Sequence, residues 1–145
     1  MSSDTQLPTI EQRPVSKHAI ESSTWPQESQ RFHASTLSPE QEAVREHFNH
    51  LNVVCAGSYE GCACGFNYGR EYPEYETEEG HLVAARESVA ELVRYIRESN
   101  VREIYCCWFD DEAKPILHYR TVTPEALMAA DFVFQQQELL KITHR

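Results

Sequence analysis

The sequence lacks the features of a membrane or secreted protein. No apolar run in its 145 residues approaches the roughly 20 residues that span a bilayer. Residues 1–12 have no basic segment followed by an apolar one, so no secretory signal is expected. We therefore predict a chain that makes no use of a membrane.

Basic residues are also scarce. The chain has 13 Lys and Arg against 23 Asp and Glu, which gives a net charge of −10. A surface of this sign repels the phosphates of nucleic acids, so binding of DNA or RNA is not expected. A protein partner of basic charge is compatible with it.

The common catalytic motifs are absent as well. The sequence contains no HExxH, no glycine loop that would hold a phosphate in front of a helix, and no Ser/His/Asp arrangement. Its seven histidines are scattered along the chain. These absences favour a role other than catalysis.

The five cysteines lie in two short stretches, Cys55–Cys64 and Cys106–Cys107. Their number is odd, and Cys62 and Cys64 are too close for an ordinary disulfide. Both observations favour reduced thiols and a cytoplasmic location.

The chain divides by composition near residue 38. Residues 1–37 are rich in Ser, Gln, Thr and Pro and show no hydrophobic period, which predicts an irregular or flexible arm. Residues 38–145 are predicted to form a single α+β domain. It opens with Ser38-Pro39-Glu40-Gln41, a capping-box pattern that predicts a helix over 39–50.

Later segments alternate between strand and helix signals. The predicted elements are a strand at 52–57, a long loop at 58–76, a helix at 79–99, a hairpin of strands at 102–110 and 115–122, a short helix after Thr123, and a strand at 131–142. This order is that of a ferredoxin-like βαββαβ sandwich, here preceded by the extra N-terminal helix and the arm. An unspecified α+β sandwich is the alternative.

An acidic segment, residues 71–79, overlaps the end of the long loop and suggests a binding surface. Charge would steer a basic protein partner, and aromatic rings would then hold it. The predicted contact residues are Tyr59, Tyr72, Glu74, Tyr75, Glu76, Glu78 and Glu79. The plainer interpretation is a solvated loop that aids solubility.

The cysteines suggest an alternative function. A hairpin turning at 111–114 would place Cys107 opposite His118, and with Cys62 and Cys64 these residues would form a Cys3His zinc site. A thiol-redox role is less favoured, because the neighbouring carboxylates raise thiol pKa values. Without zinc no cofactor is expected, and Cys55, Cys106 and one of Cys62 and Cys64 are then small buried hydrophobic groups.

Two further expectations concern partners and relatives. The arm carries widely spaced apolar residues and is able to wrap a neighbouring subunit, so a homo-oligomer is allowed. The pattern Cys-x-Cys-Gly-Phe66, then Cys-Cys-Trp-Phe-Asp-Asp111, then Phe-x-Phe134 resembles small uncharacterised bacterial proteins. Some of these are of the immunity or accessory type. The resemblance covers about residues 52–142 and implies no activity.

Overall fold

The computed structural model describes all 145 residues and shows a mixed α+β fold. Its main sheet has five strands in the order β3-β1-β5-β7-β6. Antiparallel pairing joins every pair of neighbours except β6 and β7, which are parallel. The strands of this sheet are β1 (Ser2–Ser3), β3 (Asn52–Val53), β5 (Glu103–Cys106), β6 (His118–Val122) and β7 (Glu138–Ile142).

A smaller sheet pairs β2 (His33–Ser35) with β4 (Cys55–Gly57) in antiparallel register. The strand predicted over 52–57 is therefore two strands, one in each sheet. The chain changes sheet at Val54, whose amide donates to the Met1 carbonyl at 3.0 Å.

The N-terminal segment contributes to both sheets. Ser2 and Ser3 have no exposed surface, and β1 lies between β3 and β5 in the main sheet. The segment also forms two short helices, α1 (Lys17–Glu21) and α2 (Trp25–Glu28). The compositional boundary at residue 38 thus falls between elements that share both sheets.

One long helix, α3 (Glu79–Glu98), covers one face of the main sheet. Its apolar stripe packs with Ile104 of β5 and with Leu140 and Ile142 of β7 in a core cluster of 17 residues. The sequence prediction of this helix is confirmed to within a residue. No helix in the structure combines the length and the apolarity that crossing a membrane requires.

The opposite face of the sheet is covered by a 3₁₀ helix at Pro39–His47. The Ser38 amide donates to the Gln41 side chain at 3.0 Å, as the capping pattern predicts. Val44 of this helix packs against Tyr105 and Leu139 in a second core cluster. Consecutive residues of β5 and β7 thus point to opposite faces, as strand geometry requires.

The predicted hairpin of two strands is wrong. The two segments form β5 and β6, but β7 lies between them and pairs with both. A parallel β6–β7 pair needs a long connection, and residues 123–137 supply it with a 3₁₀ helix at Pro124–Met128. The α+β class is confirmed, whereas this strand order is not the order of a ferredoxin-like sandwich.

Candidate functional site

The Cys62–Cys64 pair lies at the start of a 3₁₀ turn, Ala63–Phe66. The sulfur of Cys62 accepts a hydrogen bond from the Cys64 amide at 3.4 Å. Phe66 anchors the turn in the main core, and both thiols stay exposed. The turn therefore presents two sulfurs outward from a fixed backbone.

A carboxylate completes a cluster of possible metal donors. The ligand atoms of Glu60, Cys62 and Cys64 lie within 4.8 Å of one another, and all three residues are exposed. Partial desolvation of the sulfur, the hydrogen bond with Cys62 and the charge of Glu60 raise the pKa of the Cys64 thiol to about 12. A thiol of that pKa is a poor nucleophile at neutral pH. A bound cation would reverse this, because it stabilises thiolates.

Two of the predicted zinc ligands lie elsewhere. Cys107 packs against the second core cluster, and His118 is exposed at the start of β6. The expected Cys107–His118 pairing does not form, because Glu138 of β7 is the register partner of His118. The Cys3His set is therefore not assembled, and the donor cluster is Glu60, Cys62 and Cys64.

Glu60 was missed by the sequence prediction. Its signal was nevertheless present, because a carboxylate two residues before a CxC pair forms an E-x-C-x-C pattern in one loop. The predicted set takes its remaining ligands, Cys107 and His118, from distant strands. A local turn supplies the third donor instead.

Tyr59 lies directly beside this loop, but it is only 2% exposed. Its ring stacks on Trp25, with the ring centroids 5.7 Å apart, and its hydroxyl oxygen lies 2.9 Å from Nδ1 of His81. Burial and the nearby Glu60 carboxylate raise the pKa of Tyr59 far above its ordinary value. As a contact residue of a docking surface Tyr59 is therefore a wrong choice, because its ring is part of the core.

A cavity of about 270 Å³ opens between the N-terminal segment and residues 58–61. Glu60 and Gly61 form one wall, and Arg13, Trp25 and His33 contribute to the other. His33 is 7% exposed, and burial lowers its pKa. This volume is slightly below the range of about 300–1,000 Å³ that is typical of small-molecule sites.

The acidic segment is exposed along most of its length. Tyr72 is 52% and Tyr75 is 80% exposed, and Glu74 makes no ion pair. Glu78 and Glu79 are also exposed, whereas Glu76 is half-buried.

Local hydrogen bonds hold the acidic segment in place. The amides of Tyr75 and Glu76 both donate to the Tyr72 carbonyl, at 3.0 and 2.9 Å. The Glu76 carboxylate accepts a hydrogen bond from the Gly69 amide at 2.6 Å. The structure thus places the exposed Tyr72, Glu74 and Tyr75 on one ordered turn, and the half-buried Glu76 links that turn to Gly69.

Comparisons with protein-family models, with curated proteins and with solved structures find no match to this chain.

Proposed function

We propose that this chain is a small acidic cytosolic protein-binding module, of the immunity or accessory type and without catalytic activity, that docks a basic protein on residues 71–79. One observation carries the proposal: Tyr72 and Tyr75 are exposed rings among exposed carboxylates. Large apolar rings in water are a cost unless a partner covers them, and tyrosine is enriched in protein interfaces.

The order of the segment supports binding over simple solvation. The turn at Tyr72–Glu76 and the Gly69–Glu76 hydrogen bond fix the backbone before any partner arrives. The neighbouring Arg70 adds hydrogen bonds to the carbonyls of Leu127 and Phe132, at 2.9 and 3.2 Å. A preordered surface loses less conformational entropy on association.

The test is retention of proteins on the immobilised chain from a lysate of its source cells, identified by mass spectrometry. We expect a basic protein that the wild type retains at low salt and releases at high salt, because exposed charges are screened. Substitution Tyr72→Ala with Tyr75→Ala removes the rings, and Glu74→Gln, Glu78→Gln and Glu79→Gln remove the charges. Both variants should lose the protein.

A matched control removes the same charge elsewhere. The exposed residues Glu11, Glu46 and Glu98 lie outside the segment and make no ion pair, so their triple Gln variant should retain the partner. Equal loss with this control and with the 71–79 variant would show an effect of net charge alone. Retention by every variant would contradict the site.

A second candidate function is zinc binding, and the donor cluster favours it. Tetrahedral zinc with Zn–S bonds of about 2.3 Å places two sulfurs about 3.8 Å apart. The ligand atoms of Glu60, Cys62 and Cys64 lie within 4.8 Å of one another, so small side-chain rotations suffice. Three protein ligands would leave one coordination position open, as in catalytic rather than structural zinc sites.

Native mass spectrometry with added Zn²⁺ tests this second function. We expect one zinc per wild-type chain and none after Cys62→Ser, whereas Cys106→Ser, a thiol packed against the main core, should still bind. Equal zinc uptake by both variants, or none by the wild type, would rule the cluster out. Partner retention that survives Cys62→Ser separates the two candidate functions.

A further inference from the structure

The cavity beside residues 58–61 contains a buried histidine that has no hydrogen-bond partner. His33 of β2 is 7% exposed and lines the cavity. Its ring lies over Gly57, its register partner in β4, where an added Cβ would come within 1.9 Å of Cε1. Neither ring nitrogen bonds to the chain, yet no fully enclosed side-chain nitrogen or oxygen lacks a partner, so both ring nitrogens are accessible from the cavity. A buried polar group without a partner points to a ligand.

Other polar side chains of the lining hold the backbone around the cavity. The Gln30 side chain accepts from the Arg13 amide at 2.7 Å and donates to the Glu11 carbonyl at 3.1 Å, which ties down the N-terminal side. The Ser58 hydroxyl donates to the Cys62 carbonyl at 2.7 Å, which fixes the opposite side. The cavity is therefore formed before a ligand arrives, and a preformed site loses less conformational entropy on binding.

Two charged side chains of the lining are left without an ionic partner. Arg13 and Glu60 both line the cavity, and they form an ion pair neither with each other nor with another residue. The Glu60 carboxylate accepts only a long hydrogen bond from the Tyr59 hydroxyl, at 3.4 Å. Opposite charges around one cavity, too far apart to pair directly, complement a molecule that carries both signs.

We propose that the cavity binds a free α-amino acid, with its carboxylate toward Arg13, its ammonium toward Glu60 and a hydrogen bond from His33. An amino acid carries no net charge at neutral pH. The −10 charge of the chain therefore does not repel it, as it would repel a phosphate or a nucleotide. The volume of about 270 Å³ also favours a ligand smaller than most that occupy small-molecule sites.

The rest of the lining favours an apolar amino-acid side chain. Val15, Ile20 and Trp25 contribute apolar surface to the cavity. Ile20 is 59% exposed, and Val15 and Trp25 are half-buried. A ligand side chain that covers them removes apolar surface from water, which favours binding. L-Leucine combines such a side chain with both charged groups.

Titration of the isotope-labelled protein, followed by NMR in the presence of a zinc chelator, tests the proposal. The probes are L-alanine, L-leucine and L-phenylalanine, and we expect L-leucine to shift the resonances of the His33 ring and the Gly61 amide. Isocaproate is leucine without the ammonium, and isoamylamine is leucine without the carboxylate. Each should bind at least about tenfold more weakly than leucine, because one charge of the cavity stays unpaired.

Two charge variants with matched controls test the residues. Arg13→Gln and Glu60→Gln alter exposed positions, so both chains should fold, and each should weaken leucine binding about tenfold or more. Arg145→Gln and Glu46→Gln remove the same charges from exposed residues outside the cavity and should bind leucine as wild type does. Wild-type affinity in the folded Arg13→Gln or Glu60→Gln chain would overturn the proposal.

His33→Phe retains a ring over Gly57 and removes both nitrogens. It should weaken leucine binding without loss of stability, because no hydrogen bond within the chain is broken. Glu60 also belongs to the zinc donor cluster, so Cys62→Ser separates the two sites, and leucine binding should survive it. Loss of binding in Cys62→Ser would overturn the assignment to the cavity. So would equal binding of isocaproate, isoamylamine and leucine, or no binding of any of the three amino acids.

Discussion

The acidic residues fall into two groups that differ in burial and in partners. Glu103 and Glu138 are buried in the main sheet, exposed by 3% and 0%. Glu74, Glu78 and Glu79 lie on the ordered turn and at the start of α3, and all three are exposed. Glutamate therefore occupies both buried and exposed positions of the molecule.

Hydrogen bonding separates the two groups further. The Glu138 carboxylate accepts from Arg120 and from the Gln135 amide, and Glu103 accepts from Ser2 and Asn49. Each buried charge is thus fully partnered, as burial requires. Glu74 has no such partner. Glu78 lies 3.6 Å from the half-buried His81, and Glu79 lies 3.7 Å from the exposed Arg86. We conclude that the buried pair stabilises the sheet, whereas the exposed residues face solvent.

The largest effect is expected at Glu138. Substitution Glu138→Ala leaves the Arg120 guanidinium uncompensated, with only 33% of that side chain exposed. Breaking a buried pair from one side typically costs 3–5 kcal/mol, and we expect a loss of about 3 kcal/mol in the free energy of unfolding. Urea denaturation measures it.

A double variant provides the control for Glu138. Replacing Arg120 and Glu138 together by Met removes both charges and retains apolar packing over Phe132. It should recover most of the loss, because the cost arises from an unpaired charge rather than from a missing contact. A double variant as unstable as Glu138→Ala would contradict this account.

Glu103 should show a smaller loss with a defined pH dependence. Burial raises its pKa, but hydrogen bonds from the side chain and amide of Asn49 and from Ser2 outweigh burial and lower it below the ordinary value of 4.5. A depressed pKa means that acidification favours the unfolded chain, which binds the proton more readily. We expect Glu103→Gln to cost about 2 kcal/mol at neutral pH.

Urea denaturation at several pH values tests the sign of this pH dependence. The stability gap between wild type and Glu103→Gln should be full above about pH 4.5 and should shrink as pH falls through the pKa of the folded protein. The comparison with the variant cancels the titration of all other groups. A difference in stability that stays constant, or widens, as pH falls would contradict a lowered pKa of Glu103.

The burial of Glu103 and Glu138 could not be predicted from the sequence. Helix α3 was predictable because its apolar stripe repeats with a helical period, and that local signal survives packing. The pairing partners of β5 and β6 were not predictable. A short polar connection is compatible with a hairpin, but also with two strands between which a later strand lies. Strand β1 is two serines, for which no pattern exists. Glu103 and Glu138 are buried by these unpredicted pairings.

The candidate site shows the same limit. Exposure of Tyr72 and Tyr75 agrees with a segment that has no hydrophobic period. Tyr59 has equally little local signal, yet it is buried because Trp25, from far back in the chain, stacks on it. The predicted zinc ligands show the same limit, because Cys107 and His118 depended on a distant pairing that does not form, whereas Glu60 lies two residues away from Cys62.

Glu76 is intermediate between the buried and the exposed glutamates. It belongs to the acidic segment but is half-buried, and its carboxylate accepts from the Gly69 amide at 2.6 Å. Glu76→Ala should cost about 1 kcal/mol, the usual value of one hydrogen bond. Limited proteolysis should also cut residues 70–77 faster than in wild type, because the turn loses its support. Unchanged stability and cleavage would place Glu76 with the exposed group.

The smallest effect is expected at Glu74. It is exposed and makes no ion pair, so Glu74→Gln should change the free energy of unfolding by less than about 0.5 kcal/mol. The sign should be slightly stabilising, because removal of one negative charge from a chain of net charge −10 relieves repulsion. Thermal denaturation at low and high salt measures it, and any gain should vanish at high salt.

The same Glu74 variant separates the two interpretations of the acidic segment. A residue that contributes to binding but not to folding should leave stability unchanged and lower retention of the basic partner. If Glu74→Gln lowers stability by more than 1 kcal/mol, which is large for an exposed position, the residue has a structural role, and the contrast with Glu138 fails. If it changes neither stability nor retention, the turn is a solvated loop at this position, and Tyr72 and Tyr75 alone would have to carry the interface.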